Sequence, residues 1–426
     1  MRAFKQGAKH PDIDLIQLAL TRAGYTPGRI DGIFGSKTAQ ALNAFRTARQ
    51  MGQSDHIDEA DWRALTPFLT GYIRHTIRQD DTFDALAREY RTTVPAIRTA
   101  NPEAHAANLK IGEKLVIPLG FDVVPTQIRF TWQALYYVVR GLTARYPKIK
   151  RNTIGTSVLG REIPVLRFGA GTHEVSYNAS HHGNEWLTTP VLLKFLEDYA
   201  KAEAEGGQLA QQEARVLHTM STLHLIPMVN PDGVDIATGA IDSGPEYEYA
   251  TYLAENYPHI PFPRGWKANA RGVDLNLQYP AGWEKAKEIK FSQGFTKPGP
   301  RDYVGKSVLS EPESRAMYEY TLKHDFYLTM SYHSQGEVIY WRYLDHLPAG
   351  SEEIGRIFAK LSGYALEETP FVSGHAGYKD WFILHFDRPS YTIEIGVGES
   401  PLPVSQFDKI YADNRAMLEM ALVITA

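Results

Sequence analysis

Cysteine is absent from the 426 residues. That excludes disulfides, thiolate zinc sites and a thiol nucleophile, and it leaves the redox compartment open. Long apolar runs are missing too. No stretch approaches the ~20 residues that cross a bilayer, so no membrane span is expected. The opening Met1-Arg2-Ala3-Phe4-Lys5-Gln6-Gly7 lacks the apolar segment of a secretory leader, so no Sec signal is visible. Nor is there a surplus of positive charge. The 45 Lys and Arg stand against 49 Asp and Glu, a formal net charge of −4. That is not the basic footprint of a nucleic-acid binder. What is present is core material: 43% hydrophobic residues beside 22% charged ones. The chain is too long for one ordinary domain, so two or three are expected.

The chemistry begins at His181-His182-Gly183-Asn184-Glu185-Trp186. Glu174-Val175-Ser176-Tyr177 before it reads as a strand. Behind it, Leu187, Val191, Leu192, Phe195, Leu196 and Tyr199 recur at helical spacing, which predicts a helix over 187–205. His182 and Glu185 therefore stand between strand and helix, where side chains at i and i+3 converge. Imidazole nitrogen and carboxylate oxygen suit Zn²⁺, and a catalytic zinc site takes three protein ligands. Taken alone, H-x-x-E also fits an ordinary helix start.

Two smaller units precede it. Over 10–69 a helix ending near Gly24 is predicted. The turn-rich run Gly24-Tyr25-Thr26-Pro27-Gly28-Arg29-Ile30-Asp31-Gly32-Ile33-Phe34-Gly35 follows, then a helix from Lys37 to Arg49 and a third beginning at Asp61. With Thr38, this run resembles the signature of the three-helix peptidoglycan-binding domain family. Over 72–118 the order is strand (Tyr72 to Ile77), helix (from Asp81-Thr82), helix (from Val94, stopping at Asn101-Pro102) and strand (to Pro118). That βααβ order, with D-T-F-x-x-L-A and I-G-x-x-L-x-I-P, resembles a LysM domain, a family that binds N-acetylglucosamine-containing glycans. His75 is expected on the strand surface. Residues 119–125 read as a linker.

Residues 126–426 alternate strand-like runs (163–168, 175–179, 223–229, 326–332, 391–395) with helical ones, which predicts an α/β sandwich. Ser310-Glu311-Pro312-Glu313 reads as a capping box opening a helix to about His324, and 405–422 as the closing helix. Asn230-Pro231-Asp232-Gly233, Asn269-Ala270-Arg271-Gly272-Val273-Asp274-Leu275-Asn276, Ser331-Tyr332-His333-Ser334 and Tyr391-Thr392-Ile393-Glu394 follow in order. Together with H-x-x-E-W, this set resembles the zinc carboxypeptidase (M14) family, whose α/β domain has a mixed central sheet. The resemblance implies a zinc cofactor held by His182, Glu185 and His333, with Glu394 as general base and acid. It makes Arg271 the oxyanion-stabilising charge and Asp274 the carboxylate that orients His182. His181 is then a bystander.

The departures from that family narrow the expectation. Where ordinary members follow Asn276 with an Arg that clamps a free C-terminal carboxylate, this chain has Leu277. The family's mobile Tyr has no clear counterpart, with Phe371-Val372 near that point. These features look like the bacterial subgroup that cleaves γ-D-glutamyl-meso-diaminopimelate bonds in peptidoglycan stem peptides, and the wall-binding units agree. Asn276, Leu277, Ser334, Tyr378 and Lys379 are the expected substrate contacts, with Arg342 an alternative to Lys379 for a distal carboxylate. The expected layout is 1–70 peptidoglycan-binding, 71–120 LysM and 121–426 peptidase. The expected partners are wall glycan and stem peptides, and the expected setting is the cell wall, the exterior or the spore. Two alternatives stay open: an ordinary C-terminal exopeptidase, and a wall-binding protein without activity.

Overall fold

The computed structural model describes residues 2–105 and 108–424. The chain divides into two compact units, residues 1–129 with 133–150, and residues 130–132 with 151–426. In space the division thus falls near residue 150 rather than at the 119–125 linker. The reason is the helix Trp132–Arg145, most of which packs in the first unit. At its Gly141 a Cβ would stand 2.2 Å from the Thr70 carbonyl oxygen, so only glycine permits that approach.

In the first unit the helices Pro11–Arg22, Ser36–Ala48 and Glu59–Thr70 form where expected. A short strand pair, Phe4–Lys5 against His56–Ile57, was not anticipated. The turn-rich motif is organised from within by buried Gln17. Its Oε1 accepts from the backbone N–H of Asp31 (2.9 Å) and Gly32 (3.0 Å). Its Nε2 donates to Asp31 Oδ1 (2.9 Å) and Thr38 Oγ1 (3.1 Å). The motif's Asp, Gly and Thr therefore fold the loop.

The βααβ segment also forms. Strands Tyr72–Thr76 and Lys114–Pro118 pair antiparallel. Helices Phe83–Glu89 and Val94–Ala100 are capped by Thr82 and Thr93. Asn101 ties helix to strand through Nδ2 to the carbonyls of Ile97 and Val116 and Oδ1 from Val116 N–H, all within 2.8 Å. His75 departs from its expected surface position. It is 4% exposed, with Nε2 2.7 Å from Asp81 and Nδ1 3.0 Å from the Tyr90 hydroxyl. Those two partners make burial of the imidazole affordable.

The second unit is built on an eight-stranded mixed sheet. Its order is Ala365–Glu367, Val338–Tyr340, Ser390–Glu394, Leu328–His333, His173–Ala179, Ser221–Ile226, Glu162–Gly169, Lys150–Thr156. The four strands from Ser390–Glu394 to Ser221–Ile226 run parallel. Strands buried on both faces read as continuous apolar runs, which is why these four were legible. The edge strands Lys150–Thr156 and Ala365–Glu367, and Val338–Tyr340 next to the latter, were not. They are short or polar and carry no period-two alternation.

Helices cover both faces. Phe168 meets Tyr199 of Thr188–Glu205 at 4.8 Å between ring centroids, and the Tyr177 hydroxyl donates to Leu418 O at 2.8 Å. Ile163 and Val165 instead share a core with Met317, Tyr279, Tyr378 and Trp381. Burying each such side chain is worth about 1.5–3 kcal/mol, which makes this layer a rigid floor. The expected capping box does not form. Pro312 starts the helix Pro312–Thr321 with Glu311 as an N-cap whose side chain makes no capping hydrogen bond. Ser310 Oγ donates instead to Gln278 Oε1 (3.1 Å), and Glu313 turns inward.

Candidate active site

The site lies where parallel strands end, the usual crevice of such sheets. After His173–Ala179 the chain turns at Ser180 (φ 51°), held by Thr188 and Thr189 hydroxyls at 3.1 and 2.8 Å. Gly183–Glu185 is one turn of 3₁₀ helix before Thr188–Glu205 begins. A Cβ on Gly183 would lie 2.3 Å from Gly233 O, so the loop closes backbone to backbone. Asn230 ties the knot. Its Nδ2 donates to the carbonyls of His181 (3.1 Å) and Ala268 (3.0 Å), and its Oδ1 accepts from Gly233 N–H (2.9 Å).

This architecture brings His182, Glu185 and His333 together. His182 Nδ1 is 3.0 Å from Glu185 Oε1, His333 Nδ1 is 2.9 Å from Glu185 Oε2, and the two Nδ1 atoms are 3.3 Å apart. Ligands about 2.0–2.1 Å from a tetrahedral zinc stand roughly 3.3 Å from one another, so the spacing and the donor set fit the ion. Asp274 Oδ1 receives His182 Nε2 at 2.9 Å, the outer contact that fixes an imidazole's orientation. His181 stays outside the cluster, fully buried, with Nε2 3.1 Å from the Tyr279 hydroxyl.

The charges lock one another. Burial opposes the ionised Glu185, yet His182 and Lys267 hold its pKa well below the ordinary value. Burial likewise opposes the imidazolium of His182, and Glu185 with Asp274 carries it up to about 9. Glu394 is in register with His333. Burial, and then the charge of Glu185, pushes its carboxyl up to about 8.

A cavity of about 250 Å³ joins these groups. Its walls include His182, His333, Glu394, Asp274, Asn276, Leu277 and Lys379. Arg271 is not brought there. It lies in a separate groove beside Leu159 and Tyr249, 3.6 Å from Glu311 and half-exposed. The cationic group beside the cluster is Lys267, whose Nζ donates to Glu185 Oε1 at 2.7 Å. Arg301 and Tyr340, also unforeseen, line the same cavity. A lone cation in a turn-rich segment has no periodicity to mark it.

The other expected contacts are partly spent. The Tyr378 hydroxyl is buried at 2.9 Å from Thr321 Oγ1, and its N–H donates to Asn276 Oδ1. Ser334 Oγ is 2.7 Å from Ser400 Oγ. Lys379 Nζ donates to Asp380 Oδ1 (2.6 Å) and Arg342 O (2.7 Å), and Arg342 pairs with Glu368. Phe371 and Val372 are exposed at the rim, next to Pro370 and Ser373 of the cavity wall.

A zinc carboxypeptidase family model matches residues 135–417, a LysM domain model 75–118 and a peptidoglycan binding domain model 9–65. The γ-D-glutamyl-L-diamino acid endopeptidase 1 of Lysinibacillus sphaericus is 38% identical over 298 residues, 69% of this chain and 72% of that one. The chain belongs to the zinc carboxypeptidase family. An uncharacterized protein of Bacillus subtilis, YqgT, is 39% identical over 65% of this chain and 73% of its own. Carboxypeptidase A from Helicoverpa armigera shares the fold with a TM-score of 0.51 and 17% identity, over 92% of this chain and 96% of that one. A zinc peptidase domain thus follows two wall-binding domains, and zinc is the family's ion.

The carboxypeptidase loop carrying Lys267 and Asp274 is anchored by Asn269. Its Oδ1 accepts from Arg271 and Val273 N–H (3.0 and 3.2 Å), and its Nδ2 donates to Glu311 (2.8 Å) and Glu313 (3.2 Å). Burial pushes Glu313 from an ordinary 4.5 up to about 7. Folding therefore favours its protonated form. That stability is complete below pH 4.5 and is lost as the pH rises through 7. Glu313→Gln removes the dependence. Melting curves should show the variant gaining on wild type across this window, and a constant difference between the two would disprove the ionisation.

Proposed function

We propose that this chain is a peptidoglycan peptidase that holds one Zn²⁺ through His182, Glu185 and His333 and hydrolyses the γ-D-glutamyl–meso-diaminopimelate bond of stem peptides. The observation that carries the reading is that the side chains of His182, Glu185 and His333 converge with contacts of 2.9–3.3 Å, at a cavity whose wall includes both imidazoles and Glu394. The identity with a γ-D-glutamyl-L-diamino acid endopeptidase supports the bond. The wall-binding domains support the polymer and a cell-wall or extracellular setting. In the proposed layout 1–70 and 71–120 are the wall-binding modules and 121–426 the peptidase.

Bound zinc supplies Lewis acidity, polarising the scissile carbonyl and lowering the pKa of water towards neutrality. The chain's own groups do the rest. Glu394 takes the proton of the attacking water on its carboxylate and returns it to the leaving amine. Asp274 keeps His182 in one orientation. Lys267, rather than Arg271, provides the fixed positive charge where the substrate oxygen becomes negative. Leu277 presents no charge to a chain terminus, which favours internal cleavage over removal of a C-terminal residue.

His333→Ala should lose zinc and activity together, and stoichiometric zinc at unchanged affinity would exclude His333 as a ligand. Glu394→Gln should keep zinc and fold while kcat on stem tripeptide falls roughly 100- to 10,000-fold. Near-normal turnover by the zinc-replete variant would assign the proton transfers elsewhere.

Residues 1–129 and 133–150 hold both wall-binding modules in one compact unit. Two weak sites on one chain raise avidity through effective concentration. The 1–150 fragment should therefore sediment with purified sacculi without the catalytic unit. If it stays in the supernatant, targeting by these modules is wrong.

A further inference from the structure

Resting on the reading above, we infer that Arg301 forms a carboxylate-binding subsite in the catalytic cavity. It takes a carboxylate of the residue that follows the scissile bond.

Four cations line the cavity: Lys267, Lys290, Arg301 and Lys379. Three are occupied. Lys267 Nζ lies on Glu185 Oε1 at 2.7 Å. Lys379 Nζ is held between Asp380 and the Arg342 carbonyl and is 4% exposed. Lys290 Nζ is buried against Asp302 Oδ1 at 2.5 Å. Arg301 differs. Only its Nε is engaged, by Asp302 Oδ2 at 2.5 Å. Among the described residues its two Nη groups meet no protein acceptor, and its side chain is 41% exposed. Asp302 carries one negative charge shared by two cations, so the Arg301–Asp302–Lys290 group presents a net positive charge to the cavity.

The guanidinium is also held in place. Pro300 O accepts from Lys267 and Ala268 N–H (2.7 and 2.9 Å), which sets the Arg301 segment against the loop of Lys267. Asp302 N–H donates to Asp274 Oδ2 at 3.4 Å, the carboxylate that also holds His182. With Nε fixed, the Nη edge is a preorganised fork for a bidentate carboxylate. Leu277, on the same wall, cannot do this. Arg301, 24 residues further along the chain, is the cation of that wall left open to a carboxylate. The diamino acid of the proposed substrate offers two carboxylates, one on the main chain and one on the side chain.

The test uses zinc-loaded full-length protein and three peptides. These are the tripeptide L-Ala-γ-D-Glu-meso-diaminopimelate, its D-Ala-extended tetrapeptide, which lacks the main-chain carboxylate on diaminopimelate, and the tripeptide amidated at the side-chain carboxylate. Arg301→Gln should keep its zinc and lower kcat/KM about 10- to 150-fold on the tripeptide. The effect should vanish on whichever analogue lacks the carboxylate Arg301 binds, and that analogue identifies the source. An equal loss on all three peptides, or none, overturns the subsite. Calorimetric titration with free meso-diaminopimelate gives an arm independent of turnover. Weaker binding by Arg301→Gln supports the subsite, and equal affinity or no binding by wild type overturns it. If wild type cleaves none of the peptides, the proposed bond is wrong, and the calorimetric arm alone decides on Arg301.

Discussion

A buried carboxylate organises the catalytic unit. Glu185 is 2% exposed, and a charge so enclosed is tolerable only with partners. Its oxygens meet His182 Nδ1, His333 Nδ1, Lys267 Nζ and the Ser334 N–H at 2.7–3.3 Å. These come from three stretches far apart in sequence. Removing any of them leaves a buried charge partly unpaired, so the chemistry of the site and the stability of its surroundings are coupled.

Bringing those stretches together is a backbone problem, and it is solved with small residues and amides. Gly183 and Gly233 leave no room for a Cβ where their backbones meet neighbouring carbonyls. Asn230 spends its side chain on main-chain groups of neighbouring loops, and Asn269 on the backbone of its own loop and two carboxylates beyond it. The same device recurs in the wall-binding domains, where Gln17 and Asn101 satisfy loop and strand backbone from inside. Much of what makes each signature recognisable therefore serves closure of its loop.

The cavity separates charge that is spent from charge that is available. Lys379 and Lys290 sit in its wall but are neutralised at close range. A count of cations read from sequence would treat them as equal to Arg301. Ion pairing makes them unequal, because a cation saturated by a buried carboxylate has little field left for a substrate.

Sequence alone determined the order of the domains and the parallel strands at the centre of the sheet, and it singled out His182, Glu185, His333, Asp274 and Glu394, which the fold brings together. Apolar runs and fixed local spacings survive in one dimension, and each of these residues sits at or beside the end of a strand or the start of a helix. Only tertiary structure decided that His75 is buried against Asp81 and Tyr90. The same holds for Ser310, which bonds Gln278 instead of capping a helix, and for Arg271, which leaves the cavity while Lys267 and Arg301 enter it. These residues lie in turns or at element ends. There a side chain's direction follows from how the loop closes, as at Gly272 (φ 72°), and from which distant partner it meets. Neither is encoded in the identity or spacing of the neighbours.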